Sequence, residues 1–415
     1  IKCMKITPDG HTMGRVVVVG GSEIDLKWIP ANLDVCIAAR TGPGYHDSAW
    51  ELGQDYPPVF MQWTTQTNLE VCMDAIRYGQ VNLALCLKTE ENKMEKMKIC
   101  MIGAGMMANK VHYPSLASFD DVEIAGICDL NEQRVAQTAD QYGIRNRYTD
   151  YRKMLDEQKP DGVYVIMPPQ YMYDIVCDCL RSGLNTFTEK PLGMSLHQAE
   201  TLTRLAEENG VITQVGHQRR SSPILNAMLD KCKAHGAVNH AVVEFYKCDI
   251  HPMYSAADHI HDDCSHSIDT LRWICGGEVV KVDSCFKRIG TPDINWVQST
   301  LQFDNGATGV VINSWASGRR VFRTEIHCPG AYADVELENK AYFYENGDYD
   351  GQEFDCKEVA GGQEFYEYGG FKLKSREFID SIKVGKCMTS SPFSDVLKTM
   401  RVLETIVAQS VLTGV

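Results

Sequence analysis

Residues 98–108 read KICMIGAGMMA, an apolar run that ends in two glycines and a small residue. Gly103, Gly105 and Ala108 form the pattern G-x-G-x-x-A. In this pattern the first glycine permits a tight turn from strand to helix, and the second lets a pyrophosphate approach the backbone. The third position is small so that helix and strand pack closely. The stretch predicts a strand, a glycine turn and a helix that together bind a dinucleotide.

The residues around this turn indicate which dinucleotide would bind. The next strand pattern, 122–129, ends at Asp129, whose carboxylate can accept hydrogen bonds from both ribose hydroxyls and would repel a 2′-phosphate. We therefore expect NAD rather than NADP, although Arg134 in the following helix would weaken that preference. Met106 and Met107 open the first helix, where free N–H groups would face the phosphates. A glycine turn without a ligand is the simpler alternative, but the flanking strand and helix argue against it.

Outward from the turn, strand and helix patterns alternate along the chain. Ser195 would cap the third of these helices and Gly210 would end it. Such alternation predicts an α/β domain with a parallel sheet, which we place at residues 97–218. The strand patterns lie at 98–102, 122–129, 162–167, 185–188 and 211–215, and the helical ones at 131–142, 172–181 and 195–209.

The pattern changes at about residue 219, where long β-rich segments begin. Asn-Gly pairs at 305–306 and 346–347 predict tight turns between antiparallel strands. Helical patterns at 374–383 and 393–412 close the chain. Residues 219–415 are therefore predicted to form an α+β domain with a mostly antiparallel sheet, and its last helices are expected to pack back on the first domain.

The composition narrows the possible classes of protein. The 415 residues include 41 Lys+Arg against 55 Asp+Glu, a net charge of −14, whereas a general nucleic-acid binder needs a basic face. No apolar run reaches the roughly 18–20 residues of a membrane span, and no signal-peptide pattern is visible. The 16 cysteines form no C-x-x-C pair, which indicates free thiols in a reducing cytoplasm. We expect a cytoplasmic protein with neither a nucleic-acid nor a membrane partner.

A lysine follows the fourth strand pattern. Residues 188–192 read TEKPL, and Lys190 would lie at the carboxyl edge of the sheet, where ligands bind in open α/β folds. Partial desolvation near a cationic nicotinamide would lower the pKa of this lysine, so that it could hold or deprotonate a hydroxyl. A surface lysine in a turn is the simpler alternative, which the spacing alone would favour.

An acid and a histidine stand four residues apart in DDCSHSIDTLRW, residues 262–273. On a helix Asp262 and His266 would share one face. His266 is suited to general-base work near neutral pH, and Asp262 could orient it. Taken singly, a core or capping histidine and a helix N-terminal acid are the simpler alternatives.

Three more histidines, His251, His259 and His261, lie just upstream and raise the question of a metal site. The spacing H-x-H-D-x-x-x-H is not a zinc signature, and no cysteine pair supports one. We therefore expect no metal, and a polar substrate pocket or an exposed loop accounts for the histidines.

From residue 97 to residue 415 the chain resembles the Gfo/Idh/MocA oxidoreductases. Several motifs in a fixed order carry the resemblance: KICMIGAGMMA, the strand-end Asp129, Pro168-Pro169, Glu189-Lys190-Pro191, VGHQRRSSP at 215–223, Asp262-x-x-x-His266-x-x-Asp269 and the closing helical stretch. The resemblance implies a Rossmann domain followed by a domain with a large open sheet, with the cofactor in the cleft between them. The open sheet often makes oligomer contacts in the family, so a homo-oligomer is expected.

The resemblance also implies roles for individual residues. Lys190 would contact the substrate hydroxyl and the nicotinamide ribose, His266 would be the catalytic histidine, and Asp262 its acidic neighbour. The other implied cofactor contacts are Gly103, Gly105, Met106, Met107, Asp129, Arg134, Pro168, Glu189 and Gln218. The implied substrate contacts are His217, Arg219, Arg220, His261, Asp262 and His266.

The first block of the chain resembles a different protein segment. Residues 41–76 look like the junction of bi-domain oxidoreductases, in which a zinc-alcohol-dehydrogenase-like half precedes a Gfo/Idh/MocA half. The zinc-ligand regions and a glycine fingerprint are absent from this block, so no alcohol dehydrogenase activity is carried over. We expect residues 1–93 to be an extension for docking or oligomerisation, with a vestigial appendage as the alternative.

These features together lead to an expected reaction. We expect an NAD-dependent dehydrogenase that oxidises a secondary hydroxyl of a small-molecule sugar, glycoside or cyclitol, in one specific form at C3 of a glucoside to give a 3-keto sugar. An NAD-dependent glycosidase that oxidises its substrate transiently is one alternative. A non-catalytic NAD-sensing regulator is another, although a sensor would not need Lys190, Asp262 and His266 together.

Overall fold

The chain divides into two compact units, residues 1–94 and 95–415. A computed structural model describes residues 96–251 and 259–412, and nearer the N-terminus the backbone of three strands. There β1 (Lys5–Ile6) pairs antiparallel with β2 (Thr12–Val19), which pairs in parallel with β3 (Leu33–Ala38). The segment at 41–76 lies outside the described residues, as does most of the extension expected to dock or oligomerise.

A six-stranded parallel sheet opens the second unit, as the alternating patterns predicted. Its strand order is β6-β5-β4-β7-β8-β9, so the order reverses at β4 and the crevice at that point is the binding place in this class of fold. The strands are β4 (Met97–Ile102), β5 (Val122–Cys128), β6 (Arg147–Tyr148), β7 (Gly162–Val165), β8 (Asn185–Thr188) and β9 (Thr213–Val215).

Helices connect these strands and begin where the sequence provides caps. The side chains of Asn131, Asp150 and Ser195 each accept a backbone N–H in the first turn of a helix, and Gly210 ends α5 in the left-handed region. The helices are α1 (Tyr113–Ala117, entered through a π-helical turn at Ala108–His112), α2 (Glu132–Tyr142), α3 (Tyr151–Gln158), α4 (Met172–Arg181) and α5 (Leu196–Asn209). The sequence analysis did not predict α3 or the short β6.

The second sheet has eight strands in the order β11-β12-β13-β10-β14-β15-β16-β17. All neighbours are antiparallel, as expected, except β10 and β13, which run parallel. A parallel pair needs a long crossover, and the chain between these two strands contains α7 and the β11–β12 hairpin. The strands are β10 (His240–Cys248), β11 (Val279–Lys287), β12 (Trp296–Phe303), β13 (Thr308–Ser314), β14 (Ala316–Cys328), β15 (Ala331–Glu336), β16 (Lys340–Glu345) and β17 (Gln352–Asp355).

One face of this sheet is covered by helices. Side chains alternate along β10, so that Ala241, Val243 and Phe245 are buried while their neighbours are partly exposed. Leu271 of α7 packs so closely on Gly309 of β13 that a Cβ there would lie 2.6 Å from it. The covering helices are α6 (Pro223–Lys233), α7 (Ser265–Cys275, entered through a π-helical turn at Ile260–Cys264) and α11 (Phe393–Leu412).

The C-terminal helices pack on elements of both sheets. Phe378 and Ile379 of α10 share a core with Ile99 and Tyr164 of the parallel sheet, and α11 packs against α5, α7 and β11. The helices after β17 are α8 (Cys356–Ala360), α9 (Phe365–Tyr368), α10 (Phe371–Val384) and α11. No helix in the described residues, α11 included, is both long and apolar enough to cross a membrane.

The two glycines of the turn after β4 have different surroundings. Gly103 has φ +115°, and a Cβ there would lie 1.9 Å from the backbone oxygen of Ile166. A Cβ at Gly105 would meet no atom of the described residues within 4 Å. The first glycine is therefore required by the fold, whereas the second keeps the space above the turn open.

This difference predicts opposite outcomes for two alanine variants. Gly103→Ala should lower the free energy of unfolding by about 3 kcal/mol or more, because left-handed strain and overpacking each cost roughly 1–3 kcal/mol. Gly105→Ala should change it by less than about 1 kcal/mol but should weaken NAD binding, since its Cβ enters the phosphate space. Urea unfolding and NAD titration measure both effects, and equal stability of the two variants would contradict this reading of the turn.

Candidate functional site

A cleft lies at the carboxyl ends of β4, β7 and β8, where the strand order reverses. Its volume is about 380 Å³. It runs from the glycine turn to Lys190, and it brings together most of the cofactor contacts that the sequence analysis singled out. The lining residues are Gly105, Met106, Met107, Ala108, Arg134, Ile166, Met167, Pro168, Pro169, Glu189, Lys190 and Asp262.

Asp129 holds the turn at one end of the cleft. Its Oδ2 accepts the backbone N–H of Ala104 at 2.8 Å, and its Oδ1 accepts that of Asn131 at 2.9 Å. Gly103 donates its N–H to the carbonyl of Cys128 at 2.7 Å. The acid predicted to bind a ribose thus also fixes the loop that would carry the pyrophosphate.

The turn suits a dinucleotide. The space above Gly105 is open, Met106 is 78% exposed, and the first helix begins directly below with N–H groups that lack partners in the preceding turn. These features fit NAD, whose phosphates would lie against Gly105, Met106 and Met107 and whose adenosine would lie towards Asp129 and Arg134.

Lys190 and Asp262 form an ion pair at the other end of the cleft. Nζ of Lys190 lies 2.5 Å from Oδ1 of Asp262 and 3.3 Å from its backbone oxygen. The lysine side chain is 17% exposed and that of the aspartate 40%, so the pair borders open space. The ammonium of Lys190 is thus held between two oxygens of one residue at the edge of the cleft.

Asp262 does not stand beside His266 in the way that the sequence predicted. Asp262 lies in the π-helical turn Ile260–Cys264, and His266 follows in α7. Asp262 binds Lys190, and its hydrogen bonds within the described residues do not include His266. The predicted orienting role of Asp262 is therefore replaced by the ion pair.

Arg219 is the residue that contacts His266. Its NH1 lies 3.0 Å from Nδ1 of His266, and its guanidinium stacks on Phe322 at 3.8 Å from the ring centre. A guanidinium can only donate hydrogen bonds, so Nδ1 accepts and Nε2 carries the hydrogen of the neutral ring. Burial lowers the pKa of Arg219 to about 10.

The surroundings of His266 favour its neutral form. Burial is the largest cause of a pKa well below the usual histidine range, and the positive charges of Arg219 and Lys190 add to it. His217 lies behind with its ring edge-on, 6.1 Å away between centroids. Burial lowers the pKa of His217 to about 4, although Asp269 opposes this. Both rings are therefore uncharged at neutral pH.

Two charged residues of this region were not predicted. Lys247 of β10 lies with its Nζ 2.6 Å from Oδ2 of Asp263, which also accepts the indole N–H of Trp315 at 2.7 Å. Burial tends to raise the pKa of Asp263, but Lys247 and Lys190 hold it below its usual value. Asp263 follows Asp262 directly and could have been considered, whereas Lys247 had no signal in the pattern of its strand.

Arg220 binds two carboxylates and does not line the cleft. Its Nε lies 2.7 Å from Oδ2 of Asp269, and its NH1 lies 2.6 Å from Oδ2 of Asp395 on α11. The side chain is 4% exposed. Arg220 thus ties the segment after β9 to α7 and α11, and we assign it a role in packing instead of the predicted substrate contact.

Other predicted contacts also point away from the cleft. Gln218 donates to the carbonyl of Gly216 at 2.9 Å and accepts from Arg219 at 3.0 Å when its amide faces these partners. His261 is 3% exposed, with Nε2 3.5 Å from Oε2 of Glu404. Neither residue lines the cleft.

The remaining histidines upstream of His266 are separated from one another. The ring of His259 packs on Trp315 with 4.1 Å between centroids, and His251 is exposed. Within the described ranges, His, Cys, Asp and Glu side chains form no group of three placed to hold a metal ion.

Comparisons with known proteins agree with this geometry. Residues 97–217 match the family described as "Oxidoreductase family, NAD-binding Rossmann fold" (GFO_IDH_MocA), and residues 254–333 match the GFO/IDH/MocA C-terminal domain. A dehydrogenase from Chromobacterium violaceum superposes with a TM-score of 0.71 at 20% identity, covering 77% of this chain and 97% of that one. The fold is therefore shared over nearly the whole length of that protein.

The curated relatives match this chain over a smaller share of their own length. Myo-inositol 2-dehydrogenase of Thermotoga maritima is 25% identical over 52% of this chain and 68% of its own length. D-glucoside 3-dehydrogenase of Escherichia coli is 30% identical over 28% of this chain and 33% of its own length. Across four curated relatives the matched share of their own length runs from 40% to 68%.

The glycine turn, the cleft below it and both matching domains lead to one family. Residues 97–217 form an NAD-binding Rossmann domain of the Gfo/Idh/MocA oxidoreductases, and residues 254–333 match the C-terminal domain of the same family.

Proposed function

We propose that this protein is an NAD-dependent dehydrogenase that oxidises a secondary hydroxyl of a sugar, glycoside or cyclitol. The observation that carries the proposal is the Lys190–Asp262 ion pair at the end of the cleft that begins at the glycine turn. A substrate hydroxyl bound there would contact Lys190, which can transfer protons, close to the space that the cofactor would occupy. The names of the inositol and glucoside dehydrogenases among its relatives support the substrate class, and C3 of a glucoside is the specific position proposed.

NAD, when bound, would accept the hydride from the substrate carbon. The proton of the hydroxyl would pass to Nζ of Lys190 while a proton of that ammonium passes to Oδ1 of Asp262, 2.5 Å away. One proton thus leaves the substrate and one arrives at Asp262, so the charge on the lysine is unchanged. The short separation of the two groups supports such a relay.

His266 would act as a hydrogen-bond donor to the same oxygen. Because Arg219 donates to Nδ1, the neutral ring has its hydrogen on Nε2, and that nitrogen has no free lone pair with which to accept a proton. The expected base role of His266 is therefore replaced in this proposal. Its N–H would hold the substrate oxygen in place as the carbonyl forms.

Alanine variants test these roles. Lys190→Ala should lower kcat by about 10²–10⁴-fold, the range for a proton-transfer group, and His266→Ala by about 10²–10³-fold, the range for a donor to a developing charge. Both variants should still bind NAD, because neither residue contacts the glycine turn. Turnover is measured as NADH formed with a panel of glycosides and inositols, and keto products are identified by mass spectrometry.

Controls separate this function from its alternatives. Lys153→Ala removes an exposed lysine of α3 and should leave kcat unchanged. Sugar release without net NADH would indicate a glycosidase instead, and full activity of either alanine variant would overturn the roles. Parallel titrations with NADP test the contribution of Asp129, since tighter binding of NADP would contradict it.

Arg219 should set the pH range over which His266 stays neutral. Removing the guanidinium in Arg219→Gln takes away a positive charge that lowers the pKa of His266, so that pKa should rise towards its usual value. A protonated ring would add positive charge beside the cationic nicotinamide and disfavour oxidation. The acid limb of kcat/KM should therefore move to higher pH, and a profile identical to that of the parent enzyme would contradict the coupling.

We also propose that the uncovered face of the second sheet joins copies of this chain. On that face Val242 of β10 lies beside Val310 of β13, and Trp296 and Ile312 are also partly exposed. An interface between two copies would bury these partly exposed apolar side chains.

A charge in the middle of that face tests the assembly. Val310→Lys should convert the oligomer to monomers, because a lysine cannot be buried against a second copy without a partner. Light scattering gives the mass of the parent, of this variant and of a chain without residues 1–93. A monomeric parent would refute the assembly, and an oligomer unchanged by the deletion would refute a docking role for the extension.

A further inference from the structure

A buried hydrogen-bonded pair lies beside the reactive end of the cleft. His112, on the π-helical turn before α1, is 1% exposed, and its Nε2 lies 2.7 Å from Oε1 of Glu189. Glu189 follows β8 and lines the cleft. Its Oε2 accepts the backbone N–H of Lys190 at 3.2 Å. One carboxylate therefore connects the helix of the glycine turn to the lysine of the site.

The surroundings hold this carboxylate in place and ionised. Burial tends to raise the pKa of Glu189, but the hydrogen bond and the electrostatic interaction with His112, together with the charge of Lys190, outweigh it and leave the pKa below its usual value. A Cβ at Gly216 would lie 2.7 Å from Oε1, so the absence of a side chain there makes room for the carboxylate. The ring of Phe187 packs edge-on against His112 at 5.4 Å between centroids.

Two carboxylates and one lysine line this end of the cleft. Lys190 and Asp262 form a pair whose charges offset each other. Glu189 adds a carboxylate whose hydrogen bonds come from an imidazole and a backbone amide, and its side chain is 13% exposed towards the cleft. A group bound between the glycine turn and Lys190 therefore lies next to a fixed negative charge.

Bound NAD would place its redox-active ring at this end. With the pyrophosphate at the glycine turn and the adenosine on the side of Asp129 and Arg134, the nicotinamide half would extend the other way, towards Glu189 and Lys190. The nicotinamide ring is positively charged when oxidised and neutral when reduced. A fixed carboxylate nearby interacts favourably with the charge of the oxidised ring alone.

We propose that Glu189, oriented by His112, makes the cleft bind NAD⁺ more tightly than NADH. A site can shift a balance between two forms of a ligand only through an interaction that differs between them, and this charge supplies one. The inference rests on the NAD binding of the proposed function but not on its substrate or its proton relay. It implies a cofactor that leaves once it is reduced, so that NADH is released to solution rather than kept for a second step.

Equilibrium titrations of the full chain with NAD⁺ and NADH test the proposal through the ratio of the two Kd values. The parent should bind NAD⁺ more tightly. Glu189→Gln should reduce the preference by about tenfold, the scale of one charge acting over several ångströms in a protein interior. His112→Leu should reduce it less, because the carboxylate remains but is no longer held, and His112→Gln should retain most of it, because a glutamine can still donate.

The ratio of the two Kd values separates this role from a merely structural one, since damage to the cleft weakens the binding of NAD⁺ and of NADH alike. Glu208→Gln removes an exposed carboxylate paired with Arg204 on α5 and should leave the ratio unchanged. A ratio unaffected by both Glu189→Gln and His112→Leu would overturn this inference but not the proposed function. A parent that bound neither form would overturn the NAD assignment and this inference with it. If Glu189→Gln bound too weakly to measure, the two His112 variants would decide.

Discussion

The site depends on one close approach of backbone to backbone. At Gly103 the chain leaves β4 in a conformation with positive φ and passes the carbonyl of Ile166 at a distance that excludes any side chain. This approach brings the ends of β4 and β7 together and starts the first helix at the switch in strand order. The hydrogen bond of Asp129 to Ala104, the open space over Gly105 and the contact of His112 with Glu189 all follow from where that helix begins.

Much of the architecture could be predicted because local signals agreed with the tertiary structure. Caps such as Ser195 and Gly210, and the run of apolar residues in each parallel strand, fixed the elements to within a few residues. The parallel pairing of β10 and β13 was not predictable in this way. It depends on which strands meet after a long crossover, and alternation within a strand carries no information about its neighbour.

The backbone positions of the candidate site residues could be predicted from the sequence, whereas the partners of their side chains could not. Lys190 follows a strand at the edge of the sheet, so its place in the cleft could be read from the chain. The partner of Asp262 could not, because the ion pair joins it to Lys190, 72 residues earlier in the chain, and spacing within one helix carries no information about such a contact. Arg220 was predicted to meet substrate, but a buried guanidinium requires carboxylates, and Asp269 and Asp395 provide them.

The position of α10 has a consequence for synthesis of the chain. Phe378 and Ile379 complete the core around Ile99 and Tyr164, yet they are translated long after the strands that they cover. While the second sheet is being made, the emerging Rossmann domain has an apolar surface without its final partner. The dinucleotide domain can therefore reach its full stability only after α10 has left the ribosome.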